Sequence, residues 1–598
     1  MFLSNLIAEL KLSRIKKALD AKQFSRAHRL GKRFVAKRPT NAAAWFLLGE
    51  AARAQNRIDE ALRCYNEVVS IQPHHPIALR ERGLLLLNVG NIDAGEKDLM
   101  TAHSVDPLDI TVTSALSSTL LNRNRPDVAE VVLQETLDLI PEAPDLLCNL
   151  ALVRLAQQRQ DEAVGLFRRT LLSHPEHRLS RLNLAHALVD MQQFDEAKKE
   201  FGVAITGSPQ DPDFLAGLAT VDYAAGNYET ALVQLERISA SHPTHYLSNM
   251  YLGLTLRELR RFDEASACFR RLTTAQPGDA SAQLNLAFVL LAQGHYAEGW
   301  RAYEYRKWTP ETPGRVFDIP EWNGQSTQAA VLLYGEQGLG DEIMFASCIP
   351  DAARQASNAY LQCDPRLGAL YTRSFPQLRI VPLEREQREA ALRQFLPMAA
   401  QLPVGSLPSL FRRNRGDFPA HQGYLSADPM KIARWQDKLP AKQLGPRIGI
   451  CWRGGITQTN IASRTIALAR WRPILAVRGA QFVSLQHGAV DAEIAEVQAT
   501  QGITIHYYPG AADNIDEFAA LIGSMDLVIS VQATTVHFAG ALGCRCWVLL
   551  PFSTEWRYLA EGETMPWYPS VKLYRQPAPH DWDPVLAIVA TQLNELIR

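Results

Sequence analysis

Eight prolines, Pro39, Pro73, Pro107, Pro141, Pro175, Pro209, Pro243 and Pro277, stand 34 residues apart. With proline at about 6% of residues, the seven matches after the first arise by chance with a probability on the order of 10⁻⁹. The first half of the chain is therefore one unit copied many times. In the same frame alanine falls at Ala27, Ala61, Ala129, Ala163, Ala197, Ala231 and Ala265, with Gly95 and Gly299 completing the column. Four residues after these positions stand Tyr65, Leu99, Leu133, Phe167, Phe201, Leu235, Phe269 and Tyr303. A small residue and a large apolar one at i and i+4 share a helix face; the first admits a neighbouring helix and the second fills the gap beside it. Proline then stops the second helix of each pair.

This pattern resembles the tetratricopeptide repeat (TPR), whose signature is fullest in Trp45, Leu48, Gly49, Ala61, Tyr65 and Pro73. Eight to nine repeats fill residues 8 to 308, and the resemblance implies an α-solenoid, a TPR superhelix with a concave groove for a peptide or protein. A bare spacer is the alternative. Asn149, Asn183 and Asn285 share one repeat position, which faces the groove in TPR proteins. A similar asparagine ladder grips substrate backbone in the O-linked N-acetylglucosamine transferase family. Here Gly217 and Tyr251 interrupt it, and hydrogen bonding between helices of the array is the competing reading.

A chain of 598 residues exceeds one compact core. With 62 Lys and Arg against 63 Asp and Glu, the overall charge gives no reason to expect nucleic acid or an anionic membrane as partner. No stretch reads as a signal peptide or a membrane span, which predicts a soluble cytoplasmic protein. The eight cysteines lack metal-ligand spacing and read as reduced core thiols.

After Trp308 the frame fails, and TPETPGRVFDIPEWNGQS marks a linker over 309–328. Short apolar runs follow: AAVLLY, AYLQC and RIVPL, then RIGICW, QFVSL, ITIHYY, DLVISV, CWVLLP and VKLYR. Such runs bounded by Gly or Asp fit buried parallel strands. They form two sets, 329–440 and 441–598, which predicts two Rossmann-like α/β domains facing across a cleft, with the last helix free to cross back to the first.

Two strand-to-helix turns carry the most specific chemistry. In VLLYGEQGLGDEIMF, Gly335, Gly338 and Gly340 precede Asp341 at a helix start; glycines let a ligand approach the backbone, although Asp341 also fits a plain helix cap. In DLVISVQATTVHFAG, Thr534 and Thr535 open a helix and His537 follows, a composition suited to phosphate. A Ser/Thr cap beside a packed histidine is the bland alternative.

These two turns, with CWRGG, Arg464, Thr465, SLQHG and PFSTEWRYLAEGETMPWYPSVKLYRQP in order, resemble the C-terminal half of bacterial TPR-containing glycosyltransferases, which is related to the heptosyltransferases of the GT-B class. The resemblance covers 326–598. It implies a metal-independent inverting transfer with Asp341 as general base. Gly338, Gly340, Arg453, Gly454, Arg464, Gln486, Gln532, Thr534, Thr535 and His537 would contact the nucleotide-sugar, which is a co-substrate; no cofactor and no metal are expected. The family more often has Asp where Gln532 stands, which alters donor specificity or weakens activity. The architecture is also similar to TPR enzymes that glycosylate flagellin, so the expected partner is a protein acceptor, flagellin among the candidates. The alternatives are a TPR scaffold with an inactive nucleotide-binding module, or transfer to a lipid-linked or polysaccharide glycan.

Overall fold

A computed structural model describes residues 2–309, 317, 319–384, 398–454, 461 and 463–598. Most of the TPETPGRVFD stretch and Gly455 of CWRGG lie outside these. The chain divides into two compact units, Met1–Ile238 and Ser239–Arg598.

The first unit is all helix, in antiparallel pairs from Phe2–Asp20 onward. The column of small residues and its i+4 partners form the seams: Ala61, Ala129, Ala163 and Ala197 are fully buried with Tyr65, Leu133, Phe167 and Phe201. Two further columns recur every 34 residues. Asn41, His75, Asp109, His177 and Asp211 cap the first helix of their pairs, each accepting a backbone N–H from the first turn, while Ala143 in the same column makes no side-chain cap. Lys22, Asn56, Gly90, Asn124, Gln158, Gln192 and Gly226 adopt left-handed backbone in the turn between the paired helices. Asp211, in an Asp-x-Asp, is thus a cap, bonded to the Asp213 N–H at 3.0 Å.

In the second unit the pairs continue through Tyr296–Tyr303 and a short 3₁₀ turn, Glu304–Trp308. Strands β1 (Val331–Tyr334), β2 (Ala359–Cys363), β3 (Arg379–Pro382) and β4 (Ala400–Pro403) form a parallel sheet ordered β3-β2-β1-β4. Strands β5 (Arg447–Cys451), β6 (Gln481–Ser484), β7 (Ile505–His506), β8 (Leu527–Val531), β9 (Cys546–Leu550), β10 (Thr564–Met565) and β11 (Tyr568–Arg575) form a sheet ordered β10-β11-β9-β8-β5-β6-β7, parallel except for β10. Leaving β10 aside, the order is that of a doubly wound dinucleotide-binding sheet. The sequence pattern misses β4 and β10, one lying between prolines and the other only two residues long.

The described residues refine the expected boundaries. Within 309–328, Glu321 and Thr327 bridge Gln401 and Ala356, so residues 321–327 run along the first sheet. The helix Pro429–Lys438, expected with the first sheet, docks on Ile515–Gly523 of the second, where Lys431 pairs with Asp516 at 2.8 Å and the Trp435 indole donates to Glu517 at 3.1 Å. The last helix, Asp583–Ile597, does not cross back to the first sheet: its apolar stripe Val585, Leu586, Val589 and Leu593 is buried in the core of the second. All eight cysteines are free thiols, Cys544 partly buried and the rest buried.

The last repeat and the α/β part share one core. Trp300, 1% exposed, meets Trp556 and Trp567 edge to face and donates its indole N–H to the Arg412 carbonyl at 2.8 Å. Arg260 donates to the Ala560 carbonyl at 2.7 Å, and the Ala560 N–H to the Ala292 carbonyl at 2.8 Å. Trp300→Ala should cost about 3–5 kcal/mol in urea unfolding followed by circular dichroism, and Trp300→Phe markedly less; a wild-type midpoint for the alanine variant would contradict this shared core.

Candidate functional site

In doubly wound sheets ligands bind beyond the carboxyl ends of the strands, where the chain departs to opposite sides of the sheet. In the second sheet that point lies between β5 and β8. Gly454, after β5, passes so close to β8 that a Cβ on it would sit 2.0 Å from the Gln532 carbonyl oxygen, so only glycine fits. In the first sheet it lies between β1 and β4, and β1 runs into the Gly335–Gly340 turn.

The two turns meet. A Cβ on Gly340 would lie 3.1 Å from His537 Cδ2 and 3.7 Å from Thr534 Oγ1, which brings the helix Leu339–Phe345 against Thr534–Ala541. The same join is held by the Tyr424 and Leu425 N–H groups, both donating to the Ala541 carbonyl, at 2.8 and 2.9 Å.

Asp341 accepts from Arg557 Nη2 at 2.7 Å. Arg557 also pairs with Glu555, and Glu555 with Arg464. Two carboxylates and two guanidiniums thus alternate in a chain across the join, each about one-quarter exposed or less. Burial pushes the Asp341 carboxyl above the usual range, against the pull of Arg557. Burial also opposes ionisation of Glu555, but Arg557 and Arg464 together hold it below its ordinary value. The two shifts run in opposite directions, toward a more basic Asp341 and a less basic Glu555.

His537 is buried, with Nδ1 3.0 Å from the Tyr568 hydroxyl. Burial, reinforced by Arg557, lowers its pKa to about 3. The imidazole is neutral at physiological pH and serves the join between the turns. Of the three residues expected at phosphate, Thr534 alone is exposed; Thr535 and His537 are buried. Gln532 is 4% exposed and its Nε2 has no hydrogen-bond partner; the buried Thr465 Oγ1 also lacks one. Gly338 is the exposed N-cap of the Asp341 helix.

Gln486 and Arg453 are both tied to the protein around them. Gln486 Oε1 accepts the Trp452 and Arg453 N–H groups at 3.0 and 2.8 Å, so the side chain shapes the turn after β5. The Arg453 guanidinium pairs with Glu493 at 2.8 Å, away from the Arg464–Glu555 chain. Gln486 also lines a cavity of about 280 Å³ at the ends of β6 and β7, together with Ser484, Gly488, Tyr507, Tyr508 and Asp513.

The sequence pattern does not single out Glu555 and Arg557, although Glu-x-Arg just beyond the buried β9 is an available signal. Nor does it single out the 3₁₀ turn after the last repeat. Arg306, 2% exposed, donates to Glu336 Oε1 at 3.0 and 2.9 Å and to Ser406 Oγ at 2.9 Å, and Tyr303 and Gln337 are hydrogen-bonded. The last repeat thus braces the turn that carries Asp341.

The three repeat asparagines each reach back 35 residues. In the first unit Asn149 approaches the Ser114 carbonyl at 3.5 Å and Asn183 the Cys148 sulfur at 3.8 Å; in the second Asn285 approaches the Met250 sulfur at 3.9 Å. These contacts tie one repeat to the one before it.

Models of the tetratricopeptide repeat match residues 12–76, 115–177 and 251–313, with further matches to the same repeat at 48–118 and 188–250. The repeats are tetratricopeptide repeats. Protein FlbA of Caulobacter vibrioides is 28% identical over 486 residues, covering 77% of this chain and 80% of its own length, so the likeness extends beyond the TPR array. Anaphase-promoting complex subunit 3 of Schizosaccharomyces pombe is 19% identical, over 40% of this chain and 36% of its own. A tetratricopeptide repeat protein from Parabacteroides merdae, solved as a crystal structure, is 17% identical over 42% of this chain and 98% of its own, with a TM-score of 0.36. No described helix is long and apolar enough to cross a membrane.

The folded protein protonates His537 only near pH 3, whereas the free imidazole titrates near 6.5. Between these values the folded state binds fewer protons, so this contribution to stability is complete above about pH 6.5 and is lost as the pH falls toward 3. His537→Gln should flatten the acid limb of stability against pH by up to about 1.4 kcal/mol per unit; a His537 proton resonance titrating near its free value would contradict the burial.

Proposed function

We propose that the α/β part is a GT-B glycosyltransferase that moves a sugar, with inversion, from a nucleotide donor to a hydroxyl of a protein held by the TPR array. The observation that carries this reading is the meeting of the Gly340–Asp341 turn with the Thr534–His537 turn beside the strand-order reversal at Gly454. It brings a carboxylate from one sheet beside polar groups of the other that are suited to phosphate. The unpartnered amide of Gln532 and the exposed Thr534 hydroxyl supply donors there. The cavity between Tyr507 and Gly488 suits a nucleobase.

In this reading the Asp341 carboxylate accepts the acceptor hydroxyl's proton. The hydroxyl oxygen attacks the anomeric carbon as the bond to the nucleotide phosphate breaks, and the phosphate departs with the bonding pair. A single displacement inverts the anomeric centre. Arg464 and Arg557, both paired to Glu555, offer the departing phosphate guanidinium donors that are held in place rather than freely mobile. Flagellin is the acceptor to try first, on the strength of the architectural resemblance.

Asp341→Asn should lower transfer, and hydrolysis of the donor by water, by about 10²–10⁴-fold while nucleotide binding persists. The acid limb of the wild-type rate profile should fall at a pH above that of an ordinary aspartate, as the raised pKa requires. Undiminished turnover in the variant would remove Asp341 from the chemistry.

A further inference from the structure

The near-zero net charge hides a strong asymmetry. Residues 1–38 hold 11 Lys and Arg against 2 Asp and Glu, leaving 51 against 61 for the rest of the chain. Ten of the eleven, all but Arg38, are exposed: Lys11, Arg14, Lys16, Lys17, Lys22, Arg26, Arg29, Lys32, Arg33 and Lys37. Among the described residues none of the ten enters an ion pair, although ion pairs are common on the following repeats.

The charges are organised. The helix Phe24–Val35 buries Ala27, His28, Gly31, Phe34 and Val35. At 100° per residue, Arg26, Arg29 and Arg33 fall on the opposite side, and Lys37 extends the line past the helix end. On the preceding helix Ala8, Ile15 and Ala18 face inward, while Leu10, Arg14 and Lys17 lie on the outward side. Leu10 is 58% exposed. Two adjacent helices thus turn basic side chains, with an apolar one among them, away from the solenoid core.

We infer that this face binds an anionic lipid bilayer surface. Basic residues attract anionic headgroups additively, without defined partner geometry, and an exposed leucine beside the lysines and arginines gains by entering the headgroup boundary. Single-stranded nucleic acid fits less well: in residues 8–38 the two aromatic rings are Phe24, partly buried, and Phe34, buried, so no exposed ring offers a base a stacking platform. The surplus acid elsewhere in the chain also opposes wrapping by a long polyanion.

Co-sedimentation of the full chain with vesicles of phosphatidylcholine alone, or with phosphatidylglycerol added, tests this. Binding should require phosphatidylglycerol, weaken with salt, and fall at least about tenfold in R26Q/R29Q/R33Q/K37Q. R26K/R29K/R33K, which keeps the charge, should bind as wild type. K11Q/R14Q/K17Q gives a second, separately folded test on the neighbouring helix, and melting midpoints near wild type show that both variants are intact. No sedimentation with anionic vesicles, equal sedimentation with neutral ones, or unchanged binding in both glutamine variants would overturn the inference. So would tighter, equally salt-sensitive binding of duplex or single-stranded DNA, which would make the face a nucleic-acid surface.

Discussion

Arg557 holds a carboxylate from each sheet, Asp341 of the first and Glu555 of the second, and the join between the two turns depends on that bridge. Separating the turns would cost Arg557 its hydrogen bond to Asp341, so the two turns have reason to stay together. The bridge forms only because the backbones come close enough, and Gly340 permits that by leaving the His537 ring room at van der Waals distance. His537 in turn is fixed by Tyr568, whose strand β11 belongs to the second sheet.

The solenoid is more than an appendage to this arrangement. Its last helix inserts Trp300 among aromatic residues of the α/β part, and the following turn places Arg306 against Glu336. A repeat array that ends inside the core of the domain it carries cannot swing freely at that point.

Repetition makes the first half legible: the proline and alanine columns predict the helix pairs and their seams, because identical packing demands identical spacing. The caps at His75, His177 and Asp211 are harder to see because different residue types do one job there. In the second half the buried strands are legible as apolar runs, the first turn through its glycines and the second through Thr534, Thr535 and His537. The Glu555–Arg557 pair is not, since its meaning comes from Asp341, more than two hundred residues away. Gln486 is only half legible: its place at a strand's end points to the cavity it lines, but not to the bonds it makes to its own turn. The basic face is hidden by averaging charge over the chain.

A nucleotide site at the reversal between β5 and β8 underlies the whole functional reading, and thermal stabilisation with a panel of nucleoside mono- and diphosphates, on the wild type and on Gly454→Ala, probes it without a known acceptor. A ligand that binds the folded state raises the midpoint by mass action. The expected result is a selective rise with one nucleotide that Gly454→Ala abolishes even if the variant's own melting point is little changed. No rise with any nucleotide at millimolar concentration, or an undiminished one in the variant, would contradict a site there.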